Sequence, residues 1–346
     1  MCAQETVLSA ALLAYCRARL PSRPAGIGGL RKITDGWESD VYSFSLAGEL
    51  DGGGETHGLI LRLYSGQGGA AKCIREFRAM EWLHRVGYPV PQVLAYEPDA
   101  SHLGRPFLIM ERIEGRPLAA VMSVASPEVR RQWVERFCAM FVDLHRLDWR
   151  RFAADPPAYE DGRLVERWLA WVEPYISALP TSGFEAGIAW LRAHRAQVRR
   201  EDPAFVHWDY HPRNILVTEH GATYVIDWTG AEVTDYRFDL AWTLVLASGY
   251  SGMAARDEIL AGYEHQAGER VEGIEYFEVA ACLRRLFSIV FSVVAGAEKL
   301  GMRPGAEAQI KSNARHIENV HALLRARTGL TVPAVERLLE DLEQLP

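Results

Sequence analysis

The stretch from Phe205 to Trp242, FVHWDYHPRNILVTEHGATYVIDWTGAEVTDYRFDLAW, constrains this chain more than any other. Two short β-prone runs, Ile215-Leu216-Val217 and Tyr224-Val225-Ile226, are separated by Glu219-His220-Gly221, which supplies a turn. A polar loop carrying His207, Asp209 and Asn214 leads into the first run, and Asp227 ends the second. A hairpin of that size returns Asp227 beside Asn214. Three oxygen-bearing side chains then face one point, which is what a hard cation and a phosphate need.

The order His207-x-Asp209-x-x-x-x-Asn214, followed by Ile226-Asp227-Trp228, resembles the catalytic and metal-binding loops of the aminoglycoside phosphotransferase-like kinases. These are small-molecule relatives of the protein kinases, whose own loops read H-R-D-x-x-x-x-N and D-F-G. Four polar residues in fixed order between two strand-like runs make a specific signal, where a lone HxD is weak. The resemblance implies an α+β, protein-kinase-like two-lobed fold. A small β-rich nucleotide-binding lobe with a leading helix is expected over residues 1–114, and a larger, mainly helical catalytic and substrate-binding lobe over 115–346. It also implies transfer of the γ-phosphate of ATP (or GTP) to a hydroxyl of a small molecule, with Mg²⁺ as cofactor. Asp209 would then accept the acceptor hydroxyl's hydrogen bond and take its proton late, while Asn214 and Asp227 hold Mg²⁺. His207 and His211 are read as structural members of the loop.

At 346 residues the chain is long enough for two lobes. The net charge of -7, with no basic stripe, argues against a nucleic-acid partner. The same acidic balance is compatible with a cationic acceptor, although acidity serves solubility in most proteins. Cys2, Cys16, Cys73, Cys138 and Cys282 are scattered and odd in number, which fits free thiols in a reducing compartment. The N-terminal apolar segment has Glu5 before it and no basic n-region, so it reads as an amphipathic helix ending at Pro21. Leu286 to Ala295 is the longest apolar stretch and falls short of the ~20 residues a bilayer needs. A cytoplasmic location, with no membrane partner, is expected by elimination, and oligomeric state is open.

Along the chain, Val41-Tyr42-Ser43-Phe44-Ser45-Leu46 alternates with a period of two and predicts a half-buried strand. The polar turn before it, Asp35 to Asp40, matches by its order the phosphate-covering hairpin of the related kinases. The GxGxxG form is absent there and only Gly36 is retained, so an ordinary hairpin competes with a nucleotide clamp. Arg62 stands inside the apolar run Leu59 to Tyr64. Its stem either snorkels to water or, as the resemblance implies, Arg62 replaces the strand-three Lys that holds the α- and β-phosphates. A guanidinium can grip two phosphate oxygens, yet Arg and Lys are not interchangeable.

Ala70 to Val86 reads as a helix stopped by Gly87, with Ile74, Phe77, Met80, Glu81 and His84 at helical spacing. On this helix the resemblance implies Glu76 as the acidic partner of Arg62; the alternatives are a surface pair with Lys72 and Glu81 as the partner. Pro106 to Gly115 resembles the last small-lobe strand and hinge, where backbone groups of Glu111 and Ile113 would meet the adenine edge. Further on, Val129 to Leu147 forms a strong helical stripe. Trp168, Trp171, Tyr175, Phe184 and Trp190 fall on a second helical pair, as core or as an aromatic wall for an amine-bearing substrate. Asp239 is placed near a helix start with a structural role.

Two other readings remain. His207-x-Asp209-x-His211 offers metal-ligand types to a metal-dependent hydrolase. A pseudokinase that binds nucleotide without transfer is the second, prompted by Arg62 and the missing glycine-rich signature. Against it, Asp209, Asn214 and Asp227 are all present.

Overall fold

A computed structural model describes residues 3–20, 24–33, 39–47, 58–66, 68–177, 183–296 and 314–343. Gly36 and Cys2 lie outside the described residues. By internal contacts the chain divides into two units. Among the described residues, the first takes in those up to Leu118 and Arg213–Gly230, and the second holds the others.

The first unit is built on a five-stranded antiparallel sheet of β1 (Gly26–Ile33), β2 (Ser39–Ala47), β3 (Gly58–Tyr64), β4 (Val93–Glu97) and β5 (Phe107–Glu111), in the order β1-β2-β3-β5-β4. Alternation along β3 decides what each face carries. Leu59, Leu61 and Leu63 point one way and Ile60, Arg62 and Tyr64 the other. Helix α1 (Ala3–Arg19) covers the leucine face with Leu8, Leu12, Tyr15 and Cys16, a helical stripe that packs with Phe44, Phe107 and Ile109. Full burial of a side chain such as Leu12 contributes about 1.5–3 kcal/mol.

Helix α2 (Gly69–Arg85) lies on the Arg62 side. Its buried face is Cys73, Glu76, Ala79, Met80, Trp82 and Leu83, whereas Ile74, from the expected stripe, is exposed. The helix is rotated from the simple apolar reading because Arg62 and Tyr64 draw a carboxylate inward at Glu76. A three-stranded sheet completes the unit: β6 (Gly115–Pro117) pairs with β8 (Ile215–Thr218), and β8 with β9 (Thr223–Val225). Gly221 sits in the β8–β9 turn at φ +80°, a region in which a Cβ is strained.

The second unit is mainly helical. Strands β7 (Pro203–Val206) and β10 (Glu232–Asp235) pair antiparallel. They feed α7 (Tyr236–Ser251), which is buried almost continuously from Arg237 to Leu246. Against it pack α8 (Met253–Ala267), α9 (Ile274–Phe291) and α10 (Ala314–Thr328), and α4 (Pro127–His145) packs on α8. Ser126 caps α4 by accepting from Val129 N–H, with Pro127 pre-set for the first turn. The start of α7 differs from expectation. Asp235 is its N-cap, accepting from Arg237 N–H, and Asp239 lies inside the first turn with its side chain turned back onto the loop after β7. No helix among the described residues is long and apolar enough to cross a membrane.

Candidate functional site

In the first unit, the sequence candidates Arg62, Glu76 and Asp227 are joined by direct ion pairs. Arg62 Nη1 donates to Glu76 Oε1 at 2.8 Å, Nη2 to Asp227 Oδ1 at 2.7 Å, and Nε to Ser39 Oγ at 2.9 Å. Arg62 therefore does not snorkel: both it and Glu76 are buried. Of the two candidate glutamates, Glu76 makes this contact, while Glu81 is exposed and pairs with Arg85.

Glu76 is a hub. Tyr64 Oη donates to Oε2, and Trp228 N–H to Oε1 at 3.2 Å, so strand, helix and the segment after β9 meet at one carboxylate. Complete burial pushes the Glu76 carboxyl above its usual range despite the facing Arg62, and Asp227 adds to the push. Burial opposes the charge on Arg62, but the Asp227 and Glu76 carboxylates outweigh it and hold the guanidinium charged.

Asp227 owes its place to the hairpin. Ile215 pairs with Val225, and Ile226 N–H donates to Asn214 O at 2.9 Å, so Asp227 follows directly on the residue bonded to Asn214. Its backbone is at φ 70°, rare for a non-glycine residue and a conformation found at functional sites. Trp228 anchors that turn: it is fully buried and donates from Nε1 to Val225 O at 3.0 Å. Thr229 Oγ1 adds a second donor to Asp227 Oδ1 at 3.0 Å, and the Asp227 side chain stays 37% exposed.

Neither Ser39, Tyr64 nor Thr229 was singled out in the sequence. Tyr64 was within reach, since it shares a strand face with Arg62 two residues away. Tyr64→Phe removes one donor from a buried carboxylate and is expected to lower the unfolding free energy by about 1–3 kcal/mol. Urea denaturation checks this, and an unchanged midpoint would mean the hydroxyl does not hold Glu76.

Of the hinge candidates, Glu111 N–H already donates to Gln92 O at 2.8 Å, whereas Ile113, in the link to β6, has no backbone partner among the described residues.

In the second unit, the loop after β7 is pinned from behind. Asp239 accepts from His207 N–H at 2.7 Å and from Trp208 N–H at 2.8 Å, and Trp208 takes φ 68°. Buried His207 accepts from Asp209 N–H through Nδ1 at 3.2 Å. Asp209 is thereby presented with its side chain 47% exposed. Its Oδ1 accepts from Trp242 Nε1 at 2.9 Å, and Oδ2 lies 3.3 Å from His211 Nε2. The surrounding protein raises the Asp209 carboxyl, but His211 and the Trp242 N–H outweigh that and hold it well below the usual carboxylate range. The aromatic helices divide: Trp168 is buried core against Phe238, while Trp171 and Tyr175 form an exposed tilted pair.

Among the described residues, no group of three or more His, Cys, Asp or Glu side chains is placed to hold a metal ion alone. The hairpin carries one carboxylate, Asp227, and one amide, Asn214, side chains that would offer a metal a hard, oxygen-only set. Mg²⁺ suits such a set, because it keeps several waters and fills its shell with substrate phosphates.

Comparison with known proteins gives a family and a fold. The family model described as the phosphotransferase enzyme family matches residues 29–276. Acyl-CoA dehydrogenase family member 11 of Gallus gallus is 25% identical over 238 residues, covering 66% of this chain and 29% of that protein. The chain spans less than a third of the length of the curated relatives it matches, so nothing of their remaining length is carried over. A thermostable variant of aminoglycoside phosphotransferase APH(4)-Ia, in ternary complex with AMP-PNP and hygromycin B, superposes with TM-score 0.58 at 18% identity, covering 92% of this chain and 99% of that one. A choline/ethanolamine kinase family protein from Mesorhizobium loti does so with TM-score 0.57 at 15% identity, covering 98% and 100%. At these identities the match shows the fold alone, and that fold is the kinase-like one.

Proposed function

Taking as premise that the chain belongs to the phosphotransferase enzyme family, we propose that it moves the γ-phosphate of ATP (or GTP) to a hydroxyl of a small molecule, with Mg²⁺ as cofactor. The observation that supports this reading is the Arg62–Glu76–Asp227 ion-pair cluster, which holds the Asp227 carboxylate in the same hairpin as Asn214. In the reaction the acceptor oxygen bonds to the γ-phosphorus as the bond from that phosphorus to the β–γ bridging oxygen breaks, and the nucleoside diphosphate departs.

Asp209 accepts the acceptor hydroxyl's hydrogen bond and aims it in line. A carboxylate held this low is a weak base, so it takes the proton only once the acceptor oxygen, already bonding to phosphorus, has become acidic. Asn214 and Asp227 would hold Mg²⁺, which when bound neutralises charge on the transferring phosphates. Arg62 holds Asp227 and Glu76 in place and offers its remaining N–H bonds to the non-transferred phosphates. Gly36 would cover those phosphates, and Ile113, with the carbonyl of Glu111, would meet the nucleotide base.

The test is nucleotide turnover. Purified protein with Mg²⁺ and ATP or GTP is offered aminoglycosides, choline, other amino alcohols and sugars, and acceptor-dependent diphosphate release is followed. Release with at least one acceptor is expected. At a hundred times Kd, nucleotide should also stabilise the protein by about 2.7 kcal/mol. Thermal stabilisation with no transfer to any acceptor would favour the nucleotide-binding pseudokinase instead. Zinc bound tightly and stoichiometrically would return the hydrolase reading.

A further inference from the structure

Behind Asp209 stands a side-chain stack that the reaction as described leaves unused. Trp208 comes from the loop after β7, Trp242 from α7 and Arg284 from α9. The Arg284 guanidinium carbon lies 4.5 Å from the Trp208 ring centroid and 4.1 Å from that of Trp242, so the cation is held between two indoles. Both indoles are buried. Arg284 Nη1 also donates to Trp208 O at 3.4 Å. Trp208 Nε1 donates to Glu232 Oε1, which fixes the outer ring, while Trp242 Nε1 donates to Asp209 Oδ1 at 2.9 Å.

We propose that Arg284 is a positioning residue for Asp209, acting through Trp242 and Trp208. The inference rests on Asp209 being the acceptor-facing carboxylate of the proposed reaction.

The physics has two parts. A guanidinium over an indole face is attracted by the ring's negative quadrupole, which fixes the ring plane and so the direction of its N–H. The same cation draws electron density from the ring and makes the edge N–H a stronger donor to a carboxylate, in a bond that is already charge-assisted. Arg284 also touches Trp208, the residue just before Asp209, at a backbone position in the left-handed region. One side chain thus restrains both the carboxylate's hydrogen-bond donor and the backbone that carries the carboxylate. Packing alone would fill a slot between two indoles with an apolar side chain, because a cation there loses part of its hydration.

The test uses the full chain with Arg284→Met, which keeps the volume of the slot, Arg284→Lys, which keeps the charge, and Trp242→Phe, which removes the N–H. The first readout needs no activity. With tryptophan labelled at the indole nitrogen, the Trp242 N–H resonance is identified by its loss in Trp242→Phe. It is expected to move upfield in Arg284→Met and to stay near its original position in Arg284→Lys. The second readout is kinetic. Arg284→Met should lower kcat about tenfold, the scale of losing one half-buried cation–π contact, with nucleotide KM unchanged and with recovery in Arg284→Lys. In the Trp242→Phe background Arg284→Met should cost less than it does in wild type, the remainder being its hold on Trp208.

An unmoved Trp242 resonance in Arg284→Met, or losses that multiply in the double variant, would overturn the proposal. Wild-type protein that transfers phosphate to no acceptor would refute the phosphotransferase reading, and the indole resonance would still decide whether Arg284 acts on Trp242.

Discussion

Asp209→Asn is expected to lower acceptor-dependent phosphate transfer about a thousandfold while leaving nucleotide binding intact. The size follows from what a positioned base contributes, about a hundred- to ten-thousandfold. The substitution is close to isosteric, and an amide oxygen can still accept from Trp242 Nε1, so the loop keeps its anchor. That loop is in any case held from the other side by Asp239, through His207 N–H and Trp208 N–H. What disappears is the negative charge that, in the proposed reaction, would orient the acceptor hydroxyl and receive its proton. The check is paired: steady-state diphosphate release with the best acceptor, and thermal stabilisation by Mg²⁺-nucleotide alone. Transfer within threefold of wild type would remove Asp209 from the reaction. Loss of nucleotide stabilisation along with transfer would mean that the variant disturbs nucleotide binding and not the acceptor side.

The local and the distant parts of the site differ in how far the sequence could show them. The hairpin was legible because it is a short-range object. Two β-prone runs and a turn set the pairing of Ile215 with Val225, and that pairing brings Asp227 up against the segment of Asn214. Arg62 and Glu76 were legible as residue types in a given order, and the choice of Glu76 over Glu81 rested on resemblance. What decides between them physically is the direction of α2 about its own axis, which no count of apolar residues fixes: Ile74 faces outward and Glu76 inward.

Partners such as Ser39, which accepts from Arg62 Nε, and Trp242, which donates to Asp209, are harder still. Each reaches its partner across strands or helices, with a geometry that depends on register and tilt. A reading of the chain as two contiguous stretches likewise has no means of showing that residues 215–225 share a sheet with 115–117. The start of α7 carried two aspartates four residues apart. Which one caps and which turns back to the loop follows from the end of β10, since the chain leaves the strand at Asp235.

The largest stability effect should come from Arg62→Met. The side chain it removes is the counter-charge for Glu76, which is wholly buried, and for Asp227, so two carboxylates lose one cation at once. Breaking a buried pair by deleting one partner costs about 3–5 kcal/mol, because the remaining charge has neither water nor a partner. Tyr64 Oη and Trp228 N–H still donate to Glu76, but they do not neutralise it.

The pH dependence of the deficit follows from the same geometry. Glu76 already titrates above its usual range in the folded protein through burial, and loss of Arg62 raises it further. The folded state then holds a proton that the unfolded state has released, so stability falls as pH rises between the unfolded and folded values. The deficit of Arg62→Met should therefore be small near pH 4, below the ordinary range of a glutamate at about 4.3, and full at alkaline pH.

Removing both charges as Arg62→Met with Glu76→Leu should recover most of the stability, since a buried ion pair and an apolar replacement of similar volume are often close to equal. It should not recover transfer, because Asp227 would still lack the Arg62 hydrogen bond to Oδ1. Urea denaturation across pH separates these outcomes from one another. A single variant as stable as wild type at pH 8 would show that the cluster does not hold the first unit together. A double variant that transfers phosphate normally would show that the cluster holds Asp227 for no catalytic purpose.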